Sequence, residues 1–410
     1  MRQQLRIVGS AMISAELMSL LEPLERFELI RRRVARLGDR LCDLSYANPY
    51  EGAHEDAKQA IRAALEDDRT LGLQYSPFGG QTLARRAVAD SLRAGHGLQF
   101  TFSDIVLTPG AMAALQLAMR VSGEPGDEII VPVPCWLDYP LYARHLGFVP
   151  VLVPLEPGTF DLDPTAIGRA VSPRTCAVLL STPNNPAGRN ASKSALQELA
   201  GTLRAAEART KRSVTVIADE THRDFTLEGQ FSSIAGSVDR VMLIYSFGKR
   251  HFMQGQRLGY VGVSPRHPER RDVSEELVRW TRITGIATPT ALMQRAIPSL
   301  LALESNGATS IAELRRRVRT ELTLLGYEVV DADATMFLYV QTPVGRDDFD
   351  FIDELATMGV LALPAPCFHH EGYFRIALTA SESMLRRALQ IFDSLRSAAG
   401  VTANGNGART

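Results

Sequence analysis

Short, uniformly apolar runs alternate with amphipathic stretches through the middle of this chain. The runs at 105–107, 128–133, 149–153, 176–181, 214–218, 241–246 and 258–263 predict strands. Segments 111–120, 136–146 and 192–208 carry apolar residues at three- and four-residue spacings and predict helices between them. Strands that are apolar throughout and separated by helices imply an α/β fold, with a three-layer, mainly parallel sheet covered on both faces. The first forty residues read as helix, with Leu17, Leu20, Leu21, Leu24, Ile30, Val34 and Leu37 spaced among charges. After residue 264 the pattern changes. A polar loop at 265–271 precedes a long helical region reaching about residue 303. A helix, a strand at 336–340, a helix at 349–358 and strands at 360–363 and 374–378 then suggest a smaller α+β domain.

The expected organisation is an N-terminal helical segment (1–50) joining the small domain, a large domain (51–295), the small C-terminal domain (296–398) and a disordered tail (399–410), the last low in apolar residues.

Composition narrows the function classes. Basic and acidic residues number 45 and 46, so no clustered positive excess points to nucleic acid or a polybasic membrane contact. No run approaches the roughly 18 apolar residues of a membrane helix. Four widely spaced cysteines (Cys42, Cys135, Cys176, Cys367) show neither a zinc nor a redox spacing, and reduced cytoplasmic thiols are expected. The chain has only four lysines, against 41 arginines, which makes each lysine informative.

Lys249 follows the run VMLIYSF, with Ser246 three residues before it. A lysine at the mouth of a buried strand is partly desolvated, which favours the nucleophilic amine; snorkelling is the plainer alternative. Asp219 ends VTVIAD at the same sheet edge, as a helix cap, a metal ligand or a partner for a protonated ring nitrogen. Ligands in such sheets bind beyond the carboxyl ends of the strands. STPNNPAG (181–188) presents the amide of Asn185 after a strand. Arg257 lies in GQRLGY, a fork of donors suited to phosphate together with Ser246, or a surface arginine. LTPGAMAAL (107–115) turns into a helix whose first amides, at Ala111 and Met112, would face an anion. Trp136, in VPVPCWLDYP, either stacks on a planar ring or packs in the core.

The order of these features resembles the class I/II aminotransferases, the aspartate aminotransferase family of fold-type I pyridoxal-phosphate enzymes, over about residues 40–395. Two further motifs carry the resemblance: Tyr75 in QYSPFGG is similar to the tyrosine that reaches the neighbouring subunit's phosphate, and Arg375 in GYFRIALT to the arginine that pairs with the substrate α-carboxylate. The resemblance implies pyridoxal 5'-phosphate as cofactor and a homodimer with shared active sites. Lys249 would form the Schiff base and shuttle the proton, and Asp219 would keep the ring nitrogen protonated. Asn185 would donate to the ring hydroxyl oxygen, and Trp136 would stack on the ring. Ser246, Arg257 and the amides of Ala111 and Met112 would hold the phosphate, and Arg375, with Asn185, would bind the amino acid. No metal is implied.

Two positions depart from the family. DETH places His222 where a tyrosine is usual, and Gly248 stands where SxSK motifs have a phosphate-binding serine. A histidine beside the ring hydroxyl oxygen is expected to couple its protonation to the cofactor's near neutral pH. The expected activity is transamination between a free α-amino acid and a 2-oxo acid. The alternative is elimination, replacement or cyclisation using the same carbanion. A cofactor-sensing transcription regulator would need a DNA-binding domain, and the forty residues before the resemblance are too few for one.

Overall fold

The computed structural model describes residues 14–50, 52–66, 73–226, 231–303 and 307–404. Its strands are β1 Cys42–Asp43, β2 Ile105–Thr108, β3 Glu128–Val133, β4 Val149–Pro154, β5 Thr175–Ser181, β6 Thr215–Asp219, β7 Val241–Ser246, β8 Gly259–Val263, β9 Phe337–Gln341, β10 Val360–Leu361, β11 Leu363–Pro364 and β12 Tyr373–Ala377. Its helices are α1 Ala15–Val34, α2 Glu55–Glu66, α3 Thr82–His96, α4 Ala111–Ser122, α5 Tyr139–His145, α6 Pro164–Ala170, α7 Lys193–Thr210, α8 Phe247–Arg250, α9 Arg270–Ile283, α10 Ala291–Ala302, α11 Gly307–Leu324, α12 Asp348–Met358 and α13 Glu382–Asn404.

Seven strands form one sheet in the order β2-β8-β7-β6-β5-β3-β4. It is parallel except at β8, which runs against both of its neighbours. Successive strand residues point to opposite faces, and here both faces are apolar. Ile217, Met242 and Ile244 pack with α4, α5 and α9. Val216, Ala218 and Leu243 join a core shared with α3, α7 and α10. The alternation yields three layers and explains why the strands read as unbroken apolar runs. A smaller antiparallel sheet, β11-β12-β9, lies beside α11, α12 and α13. The pair β1–β10 ties residues 42–43 to it, while α1 meets both α12 and α5.

Four details differ from the sequence reading. The long helical region to 303 is two helices, because Gly285 takes a left-handed conformation (φ 68°) and Pro289 and the Thr290 N-cap restart the chain. The boundary expected at 295 falls inside α10, whose Met293, Ala296, Ile297 and Leu300 are buried in the large core. Helix α5 starts at Tyr139 rather than 136, with Pro140 in its first turn, which leaves Trp136 in the preceding turn. Residues 400–404 continue α13 instead of starting an irregular tail, and 405–410 fall outside the described residues.

Candidate active site

Strands β5, β6 and β7 run side by side and end together. Ser181 pairs in register with Asp219, and Asp219 with Ile244, so the first polar residues after three apolar runs share one edge. Ser246 caps the single turn α8, which brings Lys249 onto the same side three residues later. These groups line a cavity of about 230 Å³ together with Ala111, Met112, Trp136, Asn185, His222, Gly248 and Arg257. Ten of the residues singled out from the sequence thus converge on one place.

Asp219 is 9% exposed. Burial lifts its carboxyl above the usual range, while hydrogen bonds from Thr221 and Tyr139 oppose that shift. Its Oδ2 accepts from the Tyr139 hydroxyl at 2.7 Å and its Oδ1 from the Thr221 amide at 3.0 Å. Lys249 is held down to about 8, first by burial, then by Arg375 and Arg257, with Asp219 pulling the other way. The amine is therefore far easier to deprotonate than a surface lysine.

At the opposite wall α4 begins without a side-chain cap. Its first amides are the unsatisfied donors of a helix N-terminus, where an anion is stabilised. The N-cap Gly110 has φ 88°, and a Cβ there would stand 2.7 Å from Arg257 Nη2. The missing side chain lets the guanidinium approach this helix end.

Arg375 projects from β12 but does not line the cavity directly. It lies fully buried behind Asn185, donating to Asn185 Oδ1 at 2.8 Å and to the Ser45 carbonyl at 2.6 Å. Phe337 and Phe368 flank its guanidinium at 4.1 and 4.8 Å from the ring centroids, and its Nε has no partner among the described residues. Burial works against its charge, and these contacts offset that cost.

Three expectations need comment. His222 lines the cavity with its ring edge-on to Phe337 (5.3 Å) and its Nδ1 buried without a partner. Burial, then Lys249 and Arg375, push it well below the ordinary histidine range. Burial and the two cations thus disfavour the imidazolium in the cofactor-free protein, which runs against a titration near neutral pH. Gly248 leaves little room for the serine usual there, since a Cβ would sit 3.0 Å from Gln254 Cα and the backbone there would have to shift slightly. Tyr75 is fully exposed and absent from the cavity of its own protomer. Sequence reasoning missed Tyr139, Thr221 and Gln254. Only Tyr139 carried a signal, three residues after Trp136.

The residues present fit pyridoxal phosphate. An uncapped helix end with an arginine offers a phosphate cradle, a buried carboxylate without a cation offers a partner for a ring nitrogen, and a desolvated lysine lies between them.

A model of the family described as aminotransferase class I and II matches residues 42–392. A probable aspartate/prephenate aminotransferase of Thermus aquaticus is 29% identical over 368 residues, covering 87% of this chain and 92% of that protein. A probable N-acetyl-LL-diaminopimelate aminotransferase of Bacillus subtilis is 27% identical, covering 81% and 83%. Among solved structures, a Thermus thermophilus aspartate aminotransferase mutant superposes with a TM-score of 0.83 at 25% identity, covering 94% of this chain and 100% of that one. An amino transferase of Eubacterium rectale shares the fold, with a TM-score of 0.86 at 24% identity over 95% and 99% of the two chains.

Proposed function

Because this chain belongs to the class I and II aminotransferases, a pyridoxal-phosphate-dependent family, we propose that the cavity around Lys249 is its active site and that each residue there has a defined part in transamination. The relatives are aminotransferases, which favours transamination over elimination, replacement or cyclisation. The substrates are an amino acid and a 2-oxo acid. When bound, the cofactor supplies a carbonyl carbon and an electron-withdrawing ring.

Lys249 would hold the cofactor covalently through Nζ and, once displaced, move a proton to and from the substrate Cα. With its amine held down to about 8, roughly a tenth is neutral at pH 7. Asp219 would face the ring nitrogen, and Trp136 the ring itself. Asn185 and His222 would stand by the ring hydroxyl oxygen. Ser246, Arg257 and the amides of Ala111 and Met112 would take the phosphate. Arg375 and Asn185 would orient the α-carboxylate; fixing the Cα–H direction is worth several kcal/mol of barrier.

The single observation that carries this reading is the meeting of Asp219, Lys249, Arg257 and the α4 N-terminus around one cavity. We also infer a homodimer in which Tyr75 reaches the partner's phosphate. Support comes from the exposure of Leu73, Tyr75, Phe78 and Ile283; a monomer by light scattering with full activity would overturn it. Four buried free cysteines favour the cytoplasm.

The test mixes loaded enzyme with single amino acids and follows the cofactor's absorbance. Conversion from the aldehyde to the amine form supports transamination. Release of ammonia with the aldehyde form retained would overturn it.

A further inference from the structure

We propose that Tyr139 is a positioning residue for Asp219: its phenol is a fixed, neutral donor that keeps the carboxylate anionic for the ring nitrogen of the cofactor. The proposal rests on the reading above that pyridoxal phosphate occupies the cavity.

The two oxygens of Asp219 each have one donor, the Tyr139 hydroxyl at 2.7 Å and the Thr221 amide at 3.0 Å. Both donors are neutral. No cation lies within ion-pair distance among the described residues, although a buried carboxylate is costly without one. The neighbouring Glu220 shows the contrast, since Arg223 and His96 stand beside it. Asp219 is thus left short of one positive charge, and a protonated ring nitrogen would supply it. Without Tyr139, Oδ2 would lose the one partner it has among the described residues, and the neutral carboxyl would gain ground.

Tyr139 suits this role because it cannot change state. It is completely buried, and burial together with Asp219 holds its phenol well above the ordinary tyrosine range. A histidine in its place would titrate near the working pH. The turn that carries it is braced on several sides. The Tyr139 amide donates to the Trp136 carbonyl at 3.1 Å, and the Cys135 amide to the Phe368 carbonyl at 3.2 Å. His369 Nε2 meets the Leu137 carbonyl at 3.1 Å. One turn therefore presents Trp136 to the cavity and Tyr139 to the acid. The other ionisable groups acting around this pair are Glu220 and Lys249, on the β6 and β7 sides, and Cys135 beside the phenol.

The experiment measures the dissociation constant of pyridoxal 5'-phosphate between pH 5 and 9 for the parent, Tyr139→Phe, Tyr139→Gln and Asp219→Asn. Affinity that depends on the carboxylate is present at high pH and lost as pH falls through the Asp219 pKa. Removing the hydroxyl should raise that pKa. Tyr139→Phe should bind about tenfold more weakly near pH 8, with its acid limb about one pH unit higher. Tyr139→Gln, which returns a donor, should recover most of the affinity and the parent's limb, and Asp219→Asn should show no limb. An unchanged limb in Tyr139→Phe, or a loss of equal size at every pH, would overturn the proposal while leaving the cofactor reading intact. If Tyr139→Phe does not fold, the limb of Tyr139→Gln decides, and an upward shift overturns the proposal. A parent that binds no cofactor would sink the underlying reading itself.

Discussion

The stretch 219–225 has two sides with opposite habits. On the side away from the cavity the chain pairs its own charges. Glu220 is completely buried, accepts from the Ser233 hydroxyl at 2.5 Å and lies 3.3 Å from Arg223 and 3.5 Å from His96. Arg223 lies over the Tyr245 ring and donates to the Tyr260 hydroxyl at 3.0 Å. Asp224 takes the Tyr245 hydroxyl at 2.6 Å and Arg250 at 3.3 Å. On the cavity side, among the described residues, Asp219 has no cation and Lys249 no carboxylate within ion-pair distance, and His222 Nδ1 and Arg375 Nε have no partner. Buried polar groups normally find partners, so this imbalance marks where a ligand belongs. Paired charges serve the fold; unpaired ones await the chemistry.

The sharpest way to break that contrast is Lys249→Ala. On the cavity side it should remove activity by about four orders of magnitude while leaving the melting temperature of the cofactor-free protein unlowered. Borohydride trapping followed by peptide mapping should find the cofactor on no other lysine. Label on Lys58, Lys193 or Lys211 would refute the assignment.

The converse change is Asp224→Ala. Among the described residues it leaves the half-buried Arg250 with the Leu303 carbonyl alone, and the buried Tyr245 without its acceptor. Leaving the buried Tyr245 hydroxyl unsatisfied and breaking this part-buried pair costs about 2 kcal/mol, so the cofactor-free protein should unfold at clearly lower denaturant. The surviving folded fraction should keep its kcat within about threefold. Intact stability would mean that this side is not a structural pair at all.

Between these two lies Arg375→Leu. Losing the fork for the α-carboxylate should lower kcat/KM about a hundredfold. The sign of a second effect is fixed by the electrostatics. Arg375 is one of the cations that hold Lys249 down to about 8, so its removal should move the lysine upward. The pH dependence of amine acylation at Lys249 in cofactor-free protein measures this. A midpoint that falls or stays fixed would contradict the arrangement around the amine.

Much of the cavity side was legible in the sequence because buried strands are uniformly apolar, so the first polar residue after each one stands out. Asp219, Ser246 and Lys249 were found that way, and Asn185 by its turn. Tyr139 was not, because its partner is 80 residues away and an aromatic in a short helix reads as core. The brace of Phe337 and Phe368 around Arg375 joins β9 to the short helical turn after β11, a meeting that only the tertiary fold makes. The downward push on His222 likewise depends first on burial and then on two cations, all of which only folding supplies.

The smallest effect, and the most discriminating, concerns His222. In the cofactor-free protein its buried, unpartnered Nδ1 is a cost, since an unsatisfied buried polar atom is worth about 1–3 kcal/mol. His222→Phe removes that atom and keeps an aromatic against Phe337, so the cofactor-free protein should become about 1 kcal/mol more stable. The gain should grow in acid. The folded pKa of His222 lies well below its unfolded value of about 6.5, so between the two values the unfolded chain binds a proton that the folded one refuses. Stability is therefore complete above about pH 6.5 and declines as pH falls toward the folded value. The phenylalanine variant should lose part of this slope and not all of it, because His251, pushed down to about 4, contributes with the same sign. Cofactor affinity should move the other way, since the nitrogen that is a burden in the empty cavity is a partner in the filled one. Denaturant titrations of cofactor-free parent and variant at pH 5.5 and 7.5, beside their cofactor dissociation constants, test both halves. A variant less stable than the parent in the cofactor-free state would mean that His222 Nδ1 is satisfied within the protein, and that this residue belongs with the paired side of the segment.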